Sequence, residues 1–195
     1  MSTVYTINGK VLKNSANDKW LTKKETPPVP QDEVTIGTQT WKNVNLEVDD
    51  GQGGITVANN VTANGVNMGT QYYYTWAAAV RVSNSISGWH LPSKSEWETL
   101  FSYVGTNGGL KLCSTSGWND NNGTDDYGFN ALPVGLSNSG NYPYGLSGDR
   151  CLFWSSTESG SNAYRAQRYD WDSDFSLSAN DKSSTLISVR LIKDT

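Results

Sequence analysis

Apolar and polar positions alternate at both ends of the chain and take up a helical period only in between. Val4, Tyr5, Ile7, Val11 and Leu12 flank Asn8-Gly9, which predicts a small β-hairpin with a two-residue turn. A second turn, Asn14-Ser15-Ala16-Asn17-Asp18, leads to Trp20-Leu21. So small a unit has little core of its own and needs a partner to be stable. Glu25-Thr26-Pro27-Pro28-Val29-Pro30-Gln31-Asp32 follows, where three prolines in four positions favour a semi-rigid polyproline II spacer. Val34-Thr35-Ile36-Gly37-Thr38-Gln39-Thr40-Trp41 alternates around a glycine and predicts another hairpin. Residues 49–70, rich in Gly, Asn and Thr, read as a long loop. Tyr74 to Val82 carries a short helix. A clearer helix follows Pro92, with Ser93 as N-cap and Glu96 completing a capping box. Trp97, Leu100, Phe101 and Val104 form its apolar face, and Gly105 ends it.

Beyond Gly105 the helical period is lost. Residues 114–150 read as an irregular stretch, of the kind that is functional when ordered. Strand patterns return at 152–154, 164–169 and 186–192. The layout is a β-arm over 1–24, a linker over 25–33 and a body over 34–195. The body is of the α+β class, with two helices, β-hairpins, long ordered loops and terminal strands that meet.

Composition narrows the classes. The 195 residues include 8 Trp, 10 Tyr and 4 Phe, too aromatic for a disordered chain. Apolar runs are short, so no membrane span is expected. Met1-Ser2-Thr3-Val4 opens on polar residues, and no secretory signal is expected from this start. The net charge of −4 argues against general nucleic-acid binding. That charge is uneven. Lys10, Lys13, Lys19, Lys23 and Lys24 face only Asp18 in the arm, which leaves an acidic body. Cys113 and Cys151 are too few for a disulfide scaffold and lack zinc-site spacing. Both are expected reduced and buried, with a single bridge as the alternative.

A series of short motifs spans the body. Ile36-Gly37-Thr38-Gln39-Thr40-Trp41, Asn45-Leu46, Trp76-Ala77-Ala78-Ala79 and Gly88-Trp89-His90-Leu91-Pro92-Ser93 with Glu96-Trp97 form its first half. Tyr127-Gly128-Phe129-Asn130-Ala131-Leu132-Pro133, Phe153-Trp154-Ser155-Ser156-Thr157, Ala163-Tyr164, Lys182-Ser183 and Ser188-Val189-Arg190 form its second. Together these resemble the Fibrobacter succinogenes major paralogous domain over about residues 34–194. The resemblance implies a C-type-lectin-like fold, shared at a distance with formylglycine-generating enzymes and with the hypervariable proteins of diversity-generating retroelements. It also implies a setting on the surfaces or virions of Bacteroidota and their phages. It does not reach residues 1–30.

Candidate chemistry favours binding over catalysis. His90 is the only histidine and lies inside a turn motif, so a structural role is expected. Neither cysteine stands in a formylglycine-type active-site motif, and no catalytic residue is assigned. Asp120, Asp125 and Asp126 offer hard oxygen ligands and form a weak calcium candidate, but EF-hand spacing is lacking. Otherwise no cofactor is expected. The candidate ligand-binding residues are Trp118, Asn119, Tyr142 and Tyr144 from the long loop. Arg168, Tyr169, Trp171, Asp172, Asp174 and Phe175 join them from the strand region. Rings and arginines among small polar residues suit recognition. Tyr5, Ile7, Val11 and Trp20 are the candidate anchor. The expected function is a non-enzymatic adhesin of a phage head or tail fibre that recognises a host glycan or protein. Residues 1–24 would dock on other virion proteins, in a homo-oligomer at the virion surface. The alternatives are a structural decoration or assembly protein, a Bacteroidota cell-surface ligand-binding protein, and a relative of the formylglycine-generating enzymes.

Overall fold

The computed structural model describes residues 6–7, 10–11, 32–138 and 146–195. The chain divides into two units, Met1–Gln31 and Asp32–Thr195. In the first, β1 (Thr6–Ile7) pairs antiparallel with β2 (Lys10–Val11), Thr6 opposite Val11, as the alternation around Asn8-Gly9 predicts. The anchor candidates Ile7 and Val11 lie in these strands. Tyr5, Trp20 and the proline-rich spacer lie outside the described residues.

The second unit opens with β3 (Glu33–Ile36) and β4 (Gln39–Lys42), the expected hairpin, with Val34 opposite Trp41. Gly37 turns it at φ 63°, and a Cβ there would meet the Tyr103 ring at 2.8 Å. The stretch 49–70 is more ordered than a loop. β5 (Ile55–Ala58) pairs with β8 (Gln71–Tyr74), and between them β6 (Thr62–Ala63) and β7 (Val66–Asn67) form a hairpin. Its turn is Asn64-Gly65, both at positive φ, the same chemistry that marks the hairpin of the arm.

Helix α1 (Trp76–Ser83) is N-capped by Thr75. After β9 (Trp89–His90), α2 (Lys94–Val104) begins at Ser93 with the capping box formed and ends at Gly105, φ 65°. It buries Trp97, Leu100 and Val104. A third helix, α3 (Gly108–Leu112), follows where no helical period was read. At five residues it is too short to show one. Then come β10 (Ser137–Asn138), β11 (Arg150–Ser159), β12 (Asn162–Tyr169), β13 (Ser176–Asp181), β14 (Thr185–Leu186) and β15 (Ile192–Lys193).

The ends of this unit meet, because β15 pairs with β4 (Ile192 opposite Trp41) and with β9, giving the order β3-β4-β15-β9. A second antiparallel sheet runs β11-β12-β13. The expected strand over 186–192 is broken. β14 pairs with β10, and Ile187 and Ser188 bridge separately to Tyr74 and Phe153. Three helices and small antiparallel sheets make the unit α+β.

Trp97 lies in the main core beside Trp41 (centroids 4.7 Å), Phe153 (5.8 Å) and Phe129 (6.3 Å). Arg190 is fully buried, its guanidinium 4.6 Å from the Phe129 ring centroid. It donates to Asn45 Oδ1 at 2.8 Å and to the carbonyls of Phe129, Asn130 and Lys42, so it ties three segments together. Burial pulls its pKa down to about 9. Cys113 and Cys151 are free and buried, and desolvation pushes the Cys113 thiol well up.

Candidate functional site

Most of the sequence-derived candidates gather where β12 ends. There Asp172 N donates to Tyr169 O at 3.0 Å in a tight turn, while Arg150 at the start of β11 stands opposite Tyr169. The segment around Trp118 is laced onto this turn. Asn121 Nδ2 donates to Asp170 O (3.1 Å), Asn119 Nδ2 to Asp149 Oδ1 (2.6 Å) and Asn119 N to Gly148 O (3.0 Å).

Two candidates are the floor of this region, not its surface. Trp118 and Arg168 are both 0 % exposed. The Arg168 guanidinium lies 4.3 Å from the Trp118 ring centroid. It donates to the carbonyls of Asp172 (2.9 Å), Asn121 (2.9 Å) and Asp170 (3.3 Å). Its Nε and Nη2 are directed to loop carbonyls, while Nη1 is buried without a partner, and the pair holds two loops in register. Trp118 Nε1 donates to Ser114 Oγ at 3.1 Å.

Asp174 and Phe175 also turn to structure. Asp174 Oδ1 accepts from Gly108 N at 2.7 Å and so caps α3, whose own N-cap, Asn107, makes no side-chain cap bond. The approach is so close that a Cβ on Gly109 would meet Ser173 O at 2.7 Å. Phe175 is half-buried and stacks on Phe101 at 5.3 Å. Tyr142 and Tyr144 lie outside the described residues.

Of the described candidates, Asn119, Trp171 and Asp174 are exposed, and Tyr169, Asp172 and Phe175 are half-buried. Trp171 is 60 % exposed and stacks on Tyr169, with centroids 4.8 Å apart and planes 18° apart. The Arg150 guanidinium packs on the same Tyr169 ring at 4.4 Å. An indole is thus held out to solvent on a rigid support. Arg150 escaped the sequence reading because its partner ring is nineteen positions away, across a strand pair.

Carboxylates flank the stack. Asp170 is buried, and desolvation together with the charges of Asp120 and Asp149 holds its pKa above the ordinary carboxylate value. The weak calcium grouping does not assemble. Asp125 turns to the backbone N of Asn130 (2.7 Å), and its pKa is raised mainly by burial. Among the described residues, no three His, Cys, Asp or Glu groups are placed to hold one metal ion.

The chain matches the Fibrobacter succinogenes major domain over residues 34–193. The chain belongs to this family. In this Fibrobacter major domain the recurrent motifs are chiefly scaffold. Trp89-His90 forms β9, Ser93 caps α2, and Arg190 is a buried tie. His90 is bonded through Nδ1 to Asp194 (2.7 Å) and through Nε2 to Glu96 (2.8 Å). A cleft of about 210 Å³, lined in part by Lys42, Asn45, Glu47, Ile86 and Leu191, contains none of the candidate ligand residues. No curated protein and no solved structure matches the chain.

Proposed function

We propose that this Fibrobacter major domain is a non-enzymatic recognition module, displayed on a phage virion as part of a head or tail fibre and directed at a host surface glycan or protein. The observation that carries the reading is the Trp171 platform. A large indole left 60 % exposed and stacked on a braced Tyr169 is a rigid recognition element that loses little entropy on binding. The buried Trp118–Arg168 pair beneath it supports preorganisation. A C-type-lectin-like arrangement is the finer fold reading, and the joined ends of the unit favour it. The virion setting draws on the basic arm and the proline-rich spacer, a layout suited to docking at one end and projecting the domain from the other. Multivalent display would let weak single sites act together.

The test uses the full chain and the particle. Antibody raised against the protein should label purified virions, and the free protein should compete with virions for host cells. Virions that lack the protein, together with no competition at saturating concentration, would refute the reading.

A further inference from the structure

Where β4 ends, the chain makes a bend that is pinned on both sides. Lys42 N donates to Leu191 O at 2.9 Å, Asn43 N to Asp32 O at 3.1 Å and Leu46 N to Val189 O at 2.9 Å. Asn45 is buried, donating from Nδ2 to Gln71 Oε1 at 3.1 Å and accepting from Arg190 Nη2 at 2.8 Å. Val44 lies between these anchors and is 45 % exposed. An apolar side chain held out on so firm a bend loses little freedom when a partner covers it.

Val44 also lines the cleft of about 210 Å³, where Leu46, Ile86 and Leu191 supply further apolar surface. A projecting valine and a hollow suited to an aliphatic side chain thus share one face. The charges on that face are of both signs. Asp32, Glu47 and Lys42 line the cleft, and none of the three makes an ion pair among the described residues. The Lys42 ammonium lies 4.4 Å from the Trp89 ring centroid instead. An acidic partner meets repulsion from Asp32 and Glu47, and a basic one from Lys42. A second copy of the chain carries both signs. Turned about a two-fold axis, it sets each Lys42 against an acid of the other copy.

We infer that this face pairs two copies of the chain about a two-fold axis, with Val44 of each seated in the apolar cleft of the other and Lys42 of each facing Glu47 of the other. A two-fold interface makes every contact twice, so one valine and one charge pair per copy become two of each. The contact is small, and the pair is accordingly weak and concentration-dependent. The cleft shares no residue with the Trp171 platform, so this inference stands or falls apart from the recognition reading.

Sedimentation equilibrium of the full chain at physiological salt reads the association directly, with thermal melts of each variant as the check on folding. The wild-type chain is expected to show a monomer–dimer equilibrium in the micromolar range. Val44→Arg, at an exposed position, should weaken the dimer at least about tenfold with little change in melting. Lys42→Glu and Glu47→Lys should each weaken it, because each sets like charges against one another at both contacts. Mixed in equal amounts, these two variants should pair with each other at least as tightly as the wild type pairs with itself, since every crossed contact then joins opposite charges. A chain that stays monomeric at the highest concentration overturns the inference. So does a dimer that survives Val44→Arg, which places the contact elsewhere, or a mixture of the two charge variants that shows no recovery. If the chain is monomeric and Val44→Arg instead weakens binding to host cells, the cleft serves another partner and the inference falls.

Discussion

Arg168 holds its guanidinium over Trp118 and donates to carbonyls of the two loops that frame the platform. A buried charge so placed contributes through loop geometry more than through Coulomb attraction, and an apolar replacement strands those carbonyls. Arg168→Met is therefore expected to cost about 3 kcal/mol or more, read as a lowered denaturation midpoint at unchanged m-value. Trp171→Ala should cost no more than about 1.5 kcal/mol, because its ring is mostly in water and only the stack on Tyr169 is lost. His90 behaves differently again. Partial burial opposes its charge, but Glu96 and Asp194 outweigh that and raise its pKa above the ordinary 6.5. Burial likewise opposes the Glu96 charge, yet Ser93 and His90 hold the Glu96 pKa below its ordinary 4.5. The His90 contribution to stability is complete below 6.5 and fades as pH rises through its folded value. The Glu96 contribution is complete above 4.5 and fades as pH falls through its own. Thermal melts should show this clamp strongest between those two values, and His90→Gln should flatten the alkaline limb. A wild-type profile that does not fall on that limb would contradict the assignment.

At the scale of elements, α2 and α3 are held in opposite ways. Helix α2 carries its own instructions, with Ser93 and Glu96 at its start, an apolar face through Trp97, Leu100 and Val104, and Gly105 at its end. Ser93→Ala should cost about 1 kcal/mol in the melting profile, since the capping box is lost while the buried face remains. Helix α3 depends on Asp174, sixty-six positions away, for its cap and on Gly109 for close approach to Ser173. Gly109→Ala forces a Cβ against backbone, so its midpoint should fall further than that of Ser93→Ala. This contrast explains what the sequence discloses. The hairpin at Gly37 and the capped helix rest on local patterns and were legible, while the meeting of the terminal strands was expected from the order of the elements. Helix α3 and the burial of Trp118 and Arg168 rest on partners distant in the chain and were not. The β6–β7 turn at Asn64-Gly65 carried its signal locally and was overlooked inside a Gly- and Asn-rich stretch. At the candidate site, residue types picked out side chains that the fold brings together at the end of β12, but exposure depends on the fold. Trp118 and Trp171 are equally aromatic in the sequence and lie on opposite sides of the surface.

At the scale of the whole molecule, the family match spans residues 34–193, and several of its motifs are buried in the α+β unit. The basic arm and the acidic body divide the charge between them. The central claim is that the exposed indole grips a ligand without serving the fold. The most direct measurement compares host-cell binding by the full chain with that of Trp171→Ala, with thermal melts run in parallel. The account predicts at least about a tenfold loss of binding with a melting profile close to wild type. Undiminished binding by the well-folded Trp171→Ala protein would contradict it.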